Sequence, residues 1–198
     1  MMLKIAITGR IATGKTAVSK ILVDLGYKVF ESDKEVKKIY KDTIVVEAIR
    51  KIFSNKIPNL IEQNKINMNN LGNYVFSKKS QLKKLEEIIH PYIWEKKSFF
   101  LLMHPKEKVL FFDIPLLFEK KLQNEYDYIF YTKVDLQTQK KRALQRDKMN
   151  MRKLEQILTN QTSLPNNINS LKLLELDTSL EKNQTKRLIK SFLQERGL

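Results

Sequence analysis

The chain has 198 residues, 42% of them hydrophobic, which is the size and apolar content of one α/β domain with room for an inserted cap. No window approaches the ~18 consecutive apolar residues of a membrane-spanning helix, and the absence of cysteine excludes disulfides, thiol catalysis and cysteine-ligated zinc. The formal charge of +15 favours polyanionic partners, but only seven of the 37 basic residues are arginine; a general bias toward lysine explains much of it, and neither a specific nucleic-acid partner nor a membrane is expected.

The first apolar run, Leu3–Thr8, begins almost at once, which leaves no room for a leader peptide and predicts a cytoplasmic protein. It reads as a buried parallel strand. Gly9-Arg10-Ile11-Ala12-Thr13-Gly14-Lys15-Thr16 follows and fits G-x-x-x-x-G-K-[ST], and Ala17–Leu25 repeats apolar residues at helical spacing. Strand, glycine loop and helix are the context this phosphate-binding loop requires. Gly9 and Gly14 let the backbone turn its N–H groups onto phosphate oxygens, and the helix adds the positive end of its dipole. Gly9, Ala12, Thr13, Gly14, Lys15, Thr16 and Ala17 are the expected ATP-binding set. In it Lys15 reaches the β- and γ-phosphates, and the Thr16 hydroxyl ligates the Mg²⁺ that bridges them. Arg10 and Ala12 stand where many such loops carry glycine, and Arg10 either turns to a ligand phosphate or stays solvated.

Gly26 stops the first helix, and Tyr27–Phe30 reads as a second short strand closed by Glu31-Ser32-Asp33. Asp33, at a strand's carboxyl end where ligands sit in open parallel sheets, is either a base toward a substrate hydroxyl or the N-cap of a helix over Lys34–Tyr40. Residues 43–104 read as a helical block. One apolar stripe runs Ile44, Val45, Ala48, Ile49, Ile52 and Phe53, Asn64–Asn73 reads as a polar connection, a second stripe ends at a helix break at His90-Pro91, and a third helix covers Tyr92–Met103. His90 is either structural or a contact for an acidic ligand.

Val109–Asp113 is a buried strand whose closing acid, Asp113, suggests the second Mg²⁺ contact, usually through water. Ile114–Glu119 reads as a strand-to-helix turn and Tyr128–Tyr131 as a fourth strand. Gln139–Asp147 reads as a helix in which Arg142 and Arg146 are four apart on one face. Arginine suits bidentate phosphate contact, so a mobile lid closing these side chains on the phosphates is the functional expectation. A polar loop over 162–170, a last strand over Leu171–Leu176 and a closing helix over Leu180–Arg196 complete an α/β chain. Its expected form is a P-loop NTPase-type parallel sheet flanked by helices, with a helical substrate-binding insertion and a helical lid.

Taken together, these pieces resemble the dephospho-coenzyme A kinase family. The likeness lies in T-G-x-I-x-x-G-K-[ST] (Thr8–Thr16), the acid-x-Asp at Glu31–Asp33, His90-Pro91, P-L-L-x-E (Pro115–Glu119), Q-x-x-R-x-x-x-R-D (Gln139–Asp147) and Q-I-L-x-x-Q (Gln156–Gln161). The resemblance implies ATP-dependent phosphorylation of the ribose 3′-hydroxyl of dephospho-CoA, with Asp33, Lys15, Arg142 and Arg146 as the catalytic set. It also implies contacts from Asp33, His90, Pro91, Pro115 and Leu116 to the substrate, and Thr16 and Asp113 at the metal. The division it suggests is a core of about 1–42, 105–135 and 170–198, a CoA-binding insertion of about 43–104, and a lid of about 136–162; a monomer or weak homo-oligomer is expected. Departures fall at Glu31, where Asp is usual in the family, at Arg10 and Ala12, and over 171–179. Two alternatives share the loop: another small-molecule kinase of nucleotide or shikimate type, and a non-catalytic nucleotide-binding protein.

Overall fold

The structure is a computed structural model that describes residues 2–147, 149–165, 168–169 and 172–198. Leu171, the first residue of the expected last strand, and part of the expected polar loop lie outside these. The described chain divides into two compact units, one of Met1–Glu31 with Pro105–Leu198, the other of Ser32–His104.

The first unit is built on five parallel strands: β1 (Leu3–Thr8), β2 (Val29–Glu31), β5 (Val109–Asp113), β6 (Tyr128–Lys133) and β7 (Leu173–Asp177), in the order β2-β5-β1-β6-β7. A central parallel strand is covered on both faces, so it reads as an unbroken apolar run rather than an alternation; every residue of β5 is buried. β1 lies at the centre, with Ile5 opposite Phe111 on one side and Tyr128 on the other. α1 (Lys15–Asp24) and α8 (Lys182–Gln194) cover one face with Val18, Ile21, Leu22, Ile189, Phe192 and Leu193. Phe130 bridges strand and helix, its ring 5.6 Å from Phe111 and 5.3 Å from Phe192. α1 ends in a Schellman turn: Gly26 at φ +92° donates to Val23 O, and Tyr27 N donates to Leu22 O. α6 (Leu136–Leu144) and α7 (Met151–Asn160) complete the unit. Residues 115–121 form turns, not the start of an α-helix, before a single 3₁₀ turn at Gln123–Glu125.

The second unit contains α2 (Ser32–Ile39), α3 (Thr43–Phe53), a hairpin of β3 (Ile61–Glu62) and β4 (Lys65–Ile66), α4 (Met68–Phe76) and α5 (Lys79–Met103). Val45, Ile49 and Phe53 of α3 pack with Leu71 and Val75 of α4 and Leu85 and Ile89 of α5. Three expectations are corrected here. The connection expected over Asn64–Asn73 contains half a hairpin and most of a helix: Gln63 and Asn64 take φ +49° and +58°, the two positive values a tight hairpin turn requires. α5 runs unbroken through Pro91, with no helix break at His90. The carbonyl of Glu87, deprived of its helical donor, belongs to a solvent-exposed residue, so that loss costs less than it would in the core. Asp33 is not an N-cap, because α2 starts at Ser32 and places Asp33 inside its first turn.

Candidate active site

The loop Gly9–Thr16 joins β1 to α1 in a backbone that few residue types can follow. Gly9 takes φ +151° and Gly14 φ +92°. A Cβ at Gly9 would fall 2.5 Å from the Thr132 carbonyl oxygen and 2.7 Å from Thr13 Oγ1, and one at Gly14 would fall 2.7 Å from Thr178 Oγ1. Both glycines are therefore demanded twice, by backbone angle and by close approach. Ala12 holds φ +60° without that freedom. Its methyl packs with the fully buried Ala143 and Leu154 of α6 and α7, which compensates the left-handed strain.

Hydrogen bonds fix the loop from several sides. Thr13 Oγ1 lies 2.8 Å from Thr132 Oγ1 at the end of β6, and Thr132 donates to the Thr8 carbonyl at 3.2 Å. Gln139 Nε2 donates to the Ile11 carbonyl, and the Ile11 N–H donates to Gln161 Oε1, each at 2.7 Å. Arg10 is not simply solvated: Nη2 donates to the Leu158 carbonyl at 2.7 Å, in the last turn of α7, where helix carbonyls lack internal partners. Burial raises the Tyr131 phenol above its ordinary value, while the positive charge of Arg10 opposes the shift.

Lys15, Thr16 and Ala17 occupy the first turn of α1 at the mouth of a cleft of about 260 Å³, which Arg10, Ala12, Thr13, Gly14, Arg142, Arg146 and Thr178 also line. The expected loop residues other than Gly9 are thus gathered, and both expected arginines join them. The helix-face argument for those arginines needs correction, because α6 ends at Leu144 and Arg146 is carried by the following turn, its N–H on the Ala143 carbonyl at 3.1 Å. Arg142 is half-buried and doubly bonded: Nη1 donates to Thr178 Oγ1 and Nη2 to the Thr178 carbonyl, both at 2.9 Å. Thr178 Oγ1 in turn donates to the Thr13 carbonyl at 2.9 Å. Beside it, the Ser179 hydroxyl and N–H hold the Asp177 carboxyl below its ordinary value.

Asp113 closes β5, its Oδ2 accepting from Ser19 Oγ at 3.3 Å, and Glu31 of β2 stands opposite it in register. Ser19 lies one turn beyond Thr16 on α1, so the Thr16 hydroxyl and the Asp113 carboxylate belong to one helix face and the strand end beneath it. A hydroxyl and a carboxylate are the hard oxygen donors that suit Mg²⁺, and the pair fits that ion. Among the described residues no group of three or more His, Cys, Asp or Glu gathers as a metal cluster. Pro115 is half-buried and Leu116 exposed in the turns after β5, with Glu119 Oε1 accepting from Thr162 N at 2.8 Å. Asp33, His90 and Pro91 are exposed residues of the second unit. Sequence reading gave Gln139, Gln161, Thr132 and Thr178 no role. The two glutamines were visible only as motif letters, and the two threonines carried no spacing signal.

Known proteins bear on this arrangement. The CoaE dephospho-CoA kinase family model matches residues 3–179. The dephospho-CoA kinase of Fusobacterium nucleatum is 36% identical over 181 residues, covering 90% of this chain and 89% of that one. That of Bartonella quintana is 34% identical over 151 residues, 75% of each chain. A solved structure from Thermus thermophilus shares the fold with a TM-score of 0.80 at 24% identity, covering 98% of this chain and 97% of that one. The dephospho-CoA kinase from Campylobacter jejuni does so with a TM-score of 0.65 at the same identity and the same shares. Among the described residues no helix is long and apolar enough to cross a membrane. With a family model spanning most of its length and relatives above 30% identity over three quarters or more of it, the chain belongs to the dephospho-CoA kinase family.

Proposed function

We propose that this chain transfers the γ-phosphoryl group of ATP to the ribose 3′-hydroxyl of dephospho-CoA, giving CoA and ADP in the cytoplasm. Family membership makes it a kinase of the last step of CoA biosynthesis and does not favour a nucleotide kinase, a shikimate kinase or a non-catalytic binder. The observation that carries the reading is the cleft where Lys15, Arg142 and Arg146 converge on the N-terminus of α1. Three cations around a helix dipole make a site for a polyphosphate. A neighbouring hollow of about 240 Å³ shares Ala17 and Thr178 with that cleft, and the exposed Leu180 there offers apolar surface suited to a planar base.

In the reaction the substrate oxygen forms a bond to the γ-phosphorus while the bond from that phosphorus to the β-bridging oxygen breaks. ADP carries away the electron pair. The proton of the attacking hydroxyl passes to Asp33, which follows the carboxyl end of β2 by two residues. Lys15 and the guanidinium groups of Arg142 and Arg146 stabilise charge on the transferring oxygens. Thr16, and Asp113 through water, would hold Mg²⁺, whose chemistry there would be charge neutralisation of the phosphates. His90 and Pro91, with Pro115 and Leu116, hold the CoA moiety, and the working unit is a monomer or weak homo-oligomer.

The test is product identification. Incubated with ATP, Mg²⁺ and dephospho-CoA, the protein is expected to yield a product with a new 3′-phosphate, resolved by mass spectrometry and ³¹P NMR. Nucleoside monophosphates and shikimate serve as competing acceptors, and folded Lys15→Ala, expected to lose on the order of 10²-fold in kcat, as the control. Phosphorylation of either competitor in preference to dephospho-CoA would overturn the reading.

A further inference from the structure

We propose that Thr178 is a positioning residue for phosphoryl transfer, seating Arg142 against the phosphate loop so that the guanidinium is already aimed when the nucleotide arrives. The inference rests on the reading of Arg142 as a phosphate-contacting cation. Thr178 offers Arg142 two acceptors at once, its hydroxyl and its own carbonyl, each at 2.9 Å. A planar guanidinium held at both Nη atoms loses the torsional freedom that a long side chain otherwise keeps, while its remaining N–H donors stay available to a ligand oxygen. Pre-ordering of this kind lowers the entropy lost when the ligand binds.

The seat is itself fixed at both ends. The Thr178 N–H donates to the Lys133 carbonyl at 2.9 Å, which continues the pairing of β7 with β6. The Thr178 hydroxyl, while accepting from Arg142, donates to the Thr13 carbonyl at 2.9 Å. A trans peptide points its N–H opposite to its C=O. Holding the Thr13 carbonyl toward Thr178 therefore turns the Gly14 N–H to the other side of the loop. Thr178 approaches Gly14 so closely that a Cβ there would come within 2.7 Å of its hydroxyl. One hydroxyl thus connects arginine, loop peptide and sheet edge, and a valine of the same shape would break the connection without opening a cavity.

The test compares Thr178→Val, Thr178→Ser, Arg142→Lys and the double variant Thr178→Val/Arg142→Lys, each as the full chain with its melting temperature recorded. Thr178→Val is expected to lower kcat by about 5- to 10-fold, the scale of a coupled contact, with KM for dephospho-CoA unmoved. Thr178→Ser, which keeps the hydroxyl, restores most of that loss. The double variant is expected to turn over no more slowly than Arg142→Lys alone, because the seat has no purpose without its arginine. Single losses that multiply in the double variant, or full turnover in Thr178→Val, would overturn the positioning role while leaving Arg142 at the phosphates. Full turnover in Arg142→Lys would overturn the phosphate contact itself, and the positioning role with it.

Discussion

Gln139 and Gln161 grip the two polar groups of a single loop residue, Gln139 Nε2 donating to the Ile11 carbonyl and Gln161 Oε1 accepting from the Ile11 N–H, each at 2.7 Å. Gln139 belongs to α6 and Gln161 directly follows α7, so the loop is clamped from both ends of the region expected to act as a lid. Gln139 is 4% exposed, which means water cannot take its place. Gln139→Leu keeps the bulk but leaves the Ile11 carbonyl unpaired. That costs about 1–3 kcal/mol, a drop in melting temperature of roughly 2–4 °C per kcal/mol at this chain length. Calorimetry checks it, and the same variant is expected to raise KM for ATP, because the loop is no longer held in its binding shape.

Arg146 sits on a turn and is exposed, whereas Arg142 is bonded twice to Thr178. Arg146→Lys keeps the charge and loses the fork. Its kcat is expected to fall clearly with the melting temperature unchanged, since an exposed turn contributes little to the core. A lowered melting temperature with intact kcat would mark Arg146 as structural.

With the N-cap role removed by the start of α2 at Ser32, Asp33→Asn tests the base directly. The variant preserves side-chain size and surrenders proton acceptance. We expect a kcat loss of roughly 10²–10⁴-fold with ATP binding retained, and a stability loss limited to the dipole interaction of a first-turn acid, about 0.3–1 kcal/mol. Steady-state kinetics with dephospho-CoA and a nucleotide-binding titration separate the two quantities. Full turnover would remove Asp33 from the chemistry.

The Asp177 carboxyl is held below its ordinary value, first by the Ser179 hydroxyl and then by the Ser179 N–H, Oδ1 accepting at 2.7 and 2.8 Å. A carboxyl lowered in the folded state contributes stability that is complete above its unfolded value and disappears as pH falls through its folded one. Ser179→Ala removes the largest cause, so the Asp177 titration is expected to move up toward ordinary aspartate. The variant should be less stable than the parent at neutral pH, and the difference should vanish at acid pH below both values. An NMR titration of the Asp177 carboxyl and denaturation across that range check it.

The elements legible in the sequence were those whose signal is local. An unbroken apolar run is what a two-sided parallel strand must look like, so Leu3–Thr8 and Val109–Asp113 stood out, and Gly9 and Gly14 are required by angles that a motif encodes. Pro91 misleads because proline's local preference is to end a helix, whereas α5 is packed on both sides of it, by Leu85 and Ile89 before and Tyr92 and Ile93 after. The hairpin at Gln63-Asn64 uses positive φ without the glycine that usually announces it. Arg146 lines the loop cleft from a turn and not from the helix its spacing suggests, since helix termini are poorly marked where no glycine or proline stands. Thr178 and the Gln139–Ile11–Gln161 clamp were invisible because their partners are far apart in the chain, and nothing in a one-dimensional pattern reports such contacts.

That distance has a consequence for how the protein comes into being. The bonds shaping the loop span 119 residues to Thr132, 128 to Gln139, 150 to Gln161 and 165 to Thr178. Contacts of such long range form late and slowly, after the loop-closure entropy has been overcome. During synthesis the phosphate-binding motif emerges well before Thr132, Gln139, Gln161 and Thr178, the partners that shape it. A nascent chain halted before Gln139 carries every residue of the motif but lacks Gln139, Gln161 and Thr178, the partners that hold it in shape. Nucleotide therefore rewards only the finished fold, and added ATP is expected to protect the complete chain from proteolysis while leaving such a truncated one as exposed as before.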